Sequence, residues 1–379
     1  MPTCLYGWFR HKINALQEAQ KTNNTMQEEK NQKPIADSAE VADRRTWLSR
    51  SVQLGLAAPT LGALLVGCRN EDAGTASGED QKRYAISFVG AVLNNPFWDQ
   101  IHKGAKSAAQ DFADVDLTYF APEEFSHANV NELIKSAISA KPDGLAIDYR
   151  GRAFEATTQY ALDEGIAVQF YNNFKGADSS DARIVRHART AVGLDKYQAA
   201  LRSAEPFLSQ MTPGEPVAMF NGVPDSPEHL DIQNAYLRVL SDAGWSRDQI
   251  EVFPVTLDPA ENYQLIKTYL ANRTDTAGII CWDSVTGSAA ARAKVDAGLE
   301  VPVMAWNLDR TIVKAIKDGT LNQTLTQQPF LQGYYAVLGL YLKIKYGVID
   351  LPLVDPATLI VNRDNIADVE QLYRLGIAG

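Results

Sequence analysis

Cysteine is scarce in this chain. Three occur among 379 residues, Cys4, Cys68 and Cys281, and none forms a paired zinc motif. Cys4 and Cys68 fall in an N-terminal region that reads as a leader. Cys281 then stands alone, so no internal disulfide is expected even in an oxidising compartment. It reads as a buried small hydrophobe rather than a nucleophile. Histidine is also sparse, at five, and none sits in a metal or nucleophile motif. Gly-x-Ser-x-Gly, His-Glu-x-x-His and phosphate-cradling glycine loops are missing. An enzyme is not expected, nor is a cofactor or a metal. Positive charge is short as well: 36 Lys and Arg stand against 46 Asp and Glu, a net charge of −10. That balance argues against nucleic acid, which rewards clustered positive charge. Long apolar runs are lacking too. The stretch from Val52 to Val66 is shorter than the ~20 residues a spanning helix needs.

That short run is nonetheless informative through its flanks. Arg44-Arg45-Thr46-Trp47-Leu48 precedes it and Leu65-Val66-Gly67-Cys68 closes it. Paired arginines before a modest apolar segment read as a twin-arginine export signal. A small residue before cysteine reads as a lipoprotein cleavage site, with Cys68 the lipidated first residue of the mature chain. Residues 1–67 are thus expected to be a leader. Its first 40 residues are polar and lack an apolar period, and Met26 is an alternative start. Residues 68–82, rich in Gly, Ser, Glu and Asp, read as a flexible tether. The expected location is the periplasm or the outer face of the cell membrane, with the body held by lipid only.

From Arg83 onward, strand-like runs alternate with amphipathic helical stretches. Strands are expected at Tyr84–Gly90, Val115–Phe120, Gly144–Asp148, Ile166–Tyr171 and Ile184–Arg189. Helices are expected over Pro96–Ala113, His127–Ala140 and Ala153–Gly165. After a helix at Leu194–Met211 the pattern restarts. Strands at Pro216–Phe220, Ile250–Val255, Ala277–Trp282, Val301–Trp306 and Leu321–Thr326 alternate with helices. Gln332–Tyr346 is a last long helix, and Thr358–Val361 returns to strand. Such alternation argues for an α/β protein with parallel sheets covered on both faces. Two series imply two doubly wound lobes, assigned here to residues 83–190 and 191–325. Residues 326–379 return through the hinge and pack partly on the first lobe.

In open α/β sheets ligands bind beyond the carboxyl ends of the strands. Asn95, Phe97 and Trp98 follow the first strand, and Tyr149 ends the third. Asn172 and Asn173 follow the fourth. Trp282 and Asp283 follow the Ala277 strand, Trp306 and Asn307 the Val301 strand, and Gln327 the Leu321 strand. His229 is a candidate contact from the second lobe. For any one tryptophan core packing is the plainer reading, but Trp98, Trp282 and Trp306 occupy equivalent positions. Indole suits a half-apolar, wet site, and Asn and Gln each offer a donor and an acceptor. Aromatic faces, amides and one carboxylate match a neutral polyhydroxylated ligand. Asn95 also reads as the cap of the helix opening at Pro96. Arg150 and Arg152 read as solvated.

At these residues the chain resembles the type I periplasmic substrate-binding proteins of ABC importers, in the ribose-binding-protein-like branch. The resemblance rests on Leu93-Asn94-Asn95-Pro96-Phe97-Trp98, Pro142-Asp143-Gly144-Leu145-Ala146-Ile147 and Thr324-Leu325-Thr326-Gln327-Gln328-Pro329. It implies two lobes joined by a multi-strand hinge, closing on a sugar. It also implies an importer permease with its ATPase as partners, and a monomer. Asn95, Phe97, Trp98, Asp283 and Gln327 match the family's ligand positions. Asn172-Asn173 falls where many relatives carry Asp-Arg, and Asn307 replaces a frequent Asp. Asp225-Ser226-Pro227-Glu228-His229-Leu230 lacks an arginine common there. The expected ligand is therefore a neutral sugar or polyol, with no cationic clamp. A sensory role in chemotaxis or signalling, including for furanose-type signal molecules, is the alternative. A sugar-responsive repressor shares this fold but would need a DNA-binding module where the leader stands.

Overall fold

The computed structural model describes residues 82–174, 179–224, 226–256, 258–348 and 353–378. The leader, Cys68 and nearly all of the tether lie outside the described residues. No helix among those described is long and apolar enough to cross a membrane.

Five strands make the first sheet: β1 (Tyr84–Val89), β2 (Val115–Phe120), β3 (Gly144–Tyr149), β4 (Ala167–Phe174) and β5 (Val192–Gly193). Their order is β2-β1-β3-β4-β5, every pair parallel. Four helices fill the crossovers: α1 (Pro96–Asp111), α2 (His127–Ser139), α3 (Arg152–Asp163) and α4 (Ala182–Arg189). The second sheet contains β6 (Val217–Asn221), β7 (Ile250–Pro254), β8 (Gly278–Cys281), β9 (Val303–Trp306), β10 (Gln323–Thr326) and β11 (Leu359–Asn362). Its order is β11-β10-β9-β8-β6-β7, parallel except where β11 runs against β10. Helix α5 (Lys196–Leu208) enters this lobe. It is followed by α6 (Pro227–Asp242), α7 (Pro259–Asn272), α8 (Ser284–Asp296) and α9 (Arg310–Asp318). Helix α10 (Pro329–Tyr346) packs against α1 and β4, so the chain returns to the first lobe before α11 (Ile366–Arg374) closes on the second.

The burial explains the apolar runs. Every residue of β3, β6, β8, β9 and β10 is buried, as parallel strands covered on both faces require. Two hydrophobic clusters flank each sheet. Ile86, Phe88 and Ala146 belong to one side of the first sheet, while Leu145, Ile147 and Phe170 belong to the other. The alternation along each strand sends neighbours to opposite clusters. In both sheets the first strand lies between the second and third, which places a topological switch point at the carboxyl edge.

Three elements differ from the sequence reading. The run Ile184–Arg189, expected as a strand, is part of helix α4, capped by the Asp181 carboxylate, which accepts from Arg183 N. The β-branched pair Ile184-Val185 imitates a strand, and a short apolar run does not separate the two periods. The fifth strand is instead the two-residue β5. Helix α11 was not expected: Asn365 stands at its N-cap position but makes no side-chain cap bond.

Candidate functional site

A cavity of about 270 Å³ lies at the carboxyl edges of both sheets, room for one small solute. The first lobe supplies Asn95, Phe97, Trp98, Phe125, Arg150, Asn172 and Asn173; the second supplies Lys196, Glu228, His229, Trp282, Asp283, Trp306 and Asn307. Gln327, between β10 and α10, lines it as well. Of the twelve ligand positions expected from sequence, eleven therefore come together. Tyr149 does not. Its ring is buried under the sheet and stacks on Phe170 at 4.4 Å with the planes 12° apart. The last residue of β3 points away from the cleft, and strand alternation sends its neighbour Asp148 the other way.

Local chemistry places each group. Asn95 Oδ1 accepts from Phe97 N at 3.0 Å and Trp98 N at 3.4 Å, and Pro96 opens the helix. The cap thereby presents the first turn of α1 to the cavity. Trp98 turns inward, edge-on to Tyr171, and Phe97 remains half-buried at the wall. Asn172 and Asn307 have φ of 56° and 68°, a left-handed region that asparagine tolerates better than most residues. Asn172 sits within β4, where its pairing with β3 becomes irregular, and Asn307 directly follows β9.

The two large indoles of the second lobe are floor, not platform. Trp306 is 0% exposed and donates its Nε1–H to Tyr236 Oη at 2.8 Å. Trp282 is 2% exposed, with Nε1 3.2 Å from Asn221 Oδ1 and 3.1 Å from His229 Nδ1. Their N–H groups are committed to protein partners, and little of either ring is left to the cavity. Asp283 is likewise occupied: it caps α8, accepting from Thr286 N at 2.7 Å and Thr286 Oγ1 at 2.8 Å. Burial raises its pKa, against the pull of those bonds.

Arg150, expected to be solvated, lines the cavity with its side chain only 16% exposed. Its Nε and Nη2 reach Asp148 Oδ2 at 2.8 and 2.7 Å. Its guanidinium carbon lies 4.7 Å from the Phe125 ring centroid. Lys196 was missed as well. From the first turn of α5 its Nζ reaches Asn173 Oδ1 at 2.9 Å and Asn172 Oδ1 at 3.4 Å. Cations are thus present, but within a compensated network. Asp148 Oδ1 also accepts from Asn172 Nδ2 and Asn173 N. Glu228, 6% exposed, accepts from Ser226 Oγ at 2.7 Å. Burial alone would raise its pKa; the Lys196 charge, the Ser226 hydroxyl and Arg150 outweigh that and hold it low. Burial pushes His229 down to about 3, and Lys196 and Arg150 push the same way, so it is neutral at ordinary pH.

After these internal bonds, some polar atoms have no protein partner among the described residues. Gln327 donates to Asn307 Oδ1 at 2.8 Å, which leaves its buried Oε1 without a partner. No group of three or more His, Cys, Asp or Glu that could hold a metal occurs among the described residues.

A periplasmic binding protein domain model matches residues 86–346, and the chain belongs to that family. A xylose/arabinose-binding protein of Sulfolobus acidocaldarius is 22% identical over 294 residues, covering 75% of this chain and 72% of that protein. Among solved structures, a periplasmic ribose ABC transporter protein from Conexibacter woesei aligns with a TM-score of 0.65 at 19% identity. That alignment covers 79% of this chain and 98% of the other. A carbohydrate transporter protein from Acidothermus cellulolyticus, in complex with myo-inositol, aligns with a TM-score of 0.65 at 20% identity, covering 78% and 99%. These likenesses establish the two-lobed α/β fold, in a family of binding proteins.

Proposed function

We propose that this protein captures a neutral sugar or polyol between its lobes by hinge closure and delivers it to an ABC importer. One observation carries the reading. The cavity combines a half-buried phenyl ring with amides from both lobes and the hinge, while its principal cation, Arg150, is already paired with Asp148. A carboxylate ligand would meet Glu228 and Asp283 as well as Arg150, and would have to break the Arg150–Asp148 pair to gain a full counter-charge. Hydroxyls, which donate and accept, suit leftover polar atoms of both kinds. The relatives described as binding pentoses, ribose or inositol support the same ligand class.

A thermal-shift panel of neutral pentoses, hexoses, inositols, sugar acids and amino acids tests the reading, because a ligand of the native state raises its apparent stability. A shift with neutral sugars or polyols is expected. A shift confined to acidic or zwitterionic compounds would overturn the ligand class.

The mature protein is proposed to act as a monomer outside the cytoplasm, exported through Arg44-Arg45 and anchored by lipid on Cys68. Cys68→Ser should leave it exported but no longer partitioning into detergent. Unchanged partitioning would remove the anchor.

A further inference from the structure

Arg150 and Glu228 face one cavity from opposite lobes, and neither has its bonding capacity filled by the protein. Arg150 spends Nε and Nη2 on Asp148, and its plane is held against Phe125. No hydrogen bond from Nη1 is made among the described residues. A guanidinium fixed on two sides is a preorganised donor with little rotamer freedom left to lose. Phe125 is 42% exposed, on the loop between β2 and α2, and serves as the positioning residue that keeps the guanidinium turned to the cleft. Glu228 is nearly fully buried on the other wall, yet among the described residues its carboxylate is held only by neutral donors, the Ser226 hydroxyl on Oε2 and a backbone N–H. A carboxylate buried without a direct ion pair is costly, and a neutral side chain would have filled the same turn of α6 more cheaply. The two charges sense each other, since Arg150 contributes to holding the Glu228 proton off.

We propose that Arg150 and Glu228 form a cross-cleft specificity pair. Arg150 Nη1 donates to a ligand oxygen from the first lobe, and Glu228 Oε1 accepts from a ligand hydroxyl on the second. The ligand selected is one that presents hydroxyls at both ends of its ring, so a sugar deoxygenated at either position is discriminated against. This deepens the proposed function and rests on it: the pair reads a polyol, and its charges attract across the cleft as the lobes close.

The experiment uses the full chain, with Arg150→Met, Glu228→Gln and the double variant, titrated calorimetrically. The probe is whichever of D-ribose, D-xylose, D-allose and myo-inositol gives the largest thermal shift, together with its monodeoxy series. Each single variant should bind that sugar about tenfold to a hundredfold more weakly, the scale of a hydrogen bond to a charged group. For Arg150→Met, one deoxy sugar should lose no further affinity, because the bond it lacks is already gone; for Glu228→Gln, which keeps only a neutral acceptor, the loss on removing the hydroxyl that Glu228 reads should shrink. Variants that bind the whole series like the parent overturn the pair. So does an equal loss for every deoxy sugar, which would mark a merely structural role. If Glu228→Gln fails to fold, Arg150→Met in the other lobe carries the same test. A parent that binds none of the four sugars overturns the proposed function itself, a result visible before any variant is compared.

Discussion

Phe97 and Trp282 both border the cavity, yet truncating them tests different things. Phe97 is half-buried against the edge of Trp98, ring centroids 5.4 Å apart. Phe97→Ala should cost about 1–3 kcal/mol in ligand affinity and little in stability. Trp282 lies in the core of the second lobe and stacks on Tyr236. Trp282→Ala should cost about 3–5 kcal/mol in unfolding free energy before any effect on binding is read. Denaturant unfolding beside sugar titration separates them; equal stability losses would show that Phe97 is core too. The position of Trp282 was legible in the sequence. Its inward N–H was not, because Asn221 and His229 come from other elements. Buried histidines give a second test. Burial lowers both His187 and His229 to about 3, against about 6.5 in an unfolded chain. Between those values the unfolded state binds more protons, so stability is full above pH 6.5 and falls on acidification. Each histidine contributes a slope of about 1.4 kcal/mol per pH unit there. His187→Gln should flatten the decline measured between pH 6 and pH 4; an unchanged slope would mean that His187 titrates normally in the fold.

Helices α1 and α10 show how one contact orders a lobe. A Cβ on Gly104 would lie 1.9 Å from Phe330 O, and one on Gly333 would lie 1.9 Å from Ile101 O. Each glycine lets the other helix's backbone approach, and backbone does not rotate aside. Alanine is the better helix former by about 1 kcal/mol, so Gly104→Ala would stabilise an isolated helix. Here the helices must separate, and overpacking costs of about 1–3 kcal/mol or more should win. A melting temperature at or above that of the parent would mean that α10 is not seated as described. Both helices were legible from their apolar period. The glycine pairing was not, since it joins the first crossover to the last long helix. Helix α4 and strand β5 were misread for a related reason. At eight residues and two residues they are too short for period to decide, and tertiary packing of Ile184, His187 and Ala188 selects the helix.

At the scale of the molecule, the path of the chain between the lobes bears most on mechanism. It passes from β5 into α5, from β10 into α10, and from Val354 back towards β11. Val354 pairs with both Ala191 and Gly193 through the backbone, so the first and third passages are tied together. The Gln328 side chain donates to Pro356 O at 2.6 Å and Ala357 O at 3.1 Å, tying the second to the third. Gln328 and Ala357 hold φ of 49° and 66°, strained for non-glycine residues. Three short passages bound to one another are the only connections the described chain makes between the two sheets, the place where a hinge would bend. The double α/β series was legible in the sequence because each strand–helix unit carries its own period. The hinge was expected only through the family resemblance, and its cross-passage bonds were not legible, because they join segments far apart in the chain. Since the cavity draws side chains from both lobes, a ligand that bonds to all of them favours the closed arrangement, and the population shifts by that differential affinity. Small-angle scattering of the full chain should therefore show a smaller radius of gyration at saturating sugar. Trp98, Trp282 and Trp306, all at the cavity wall, should change emission over the same concentration range. A radius that stays constant while the emission titrates would show binding without bending, and the tied passages would then act as a rigid brace.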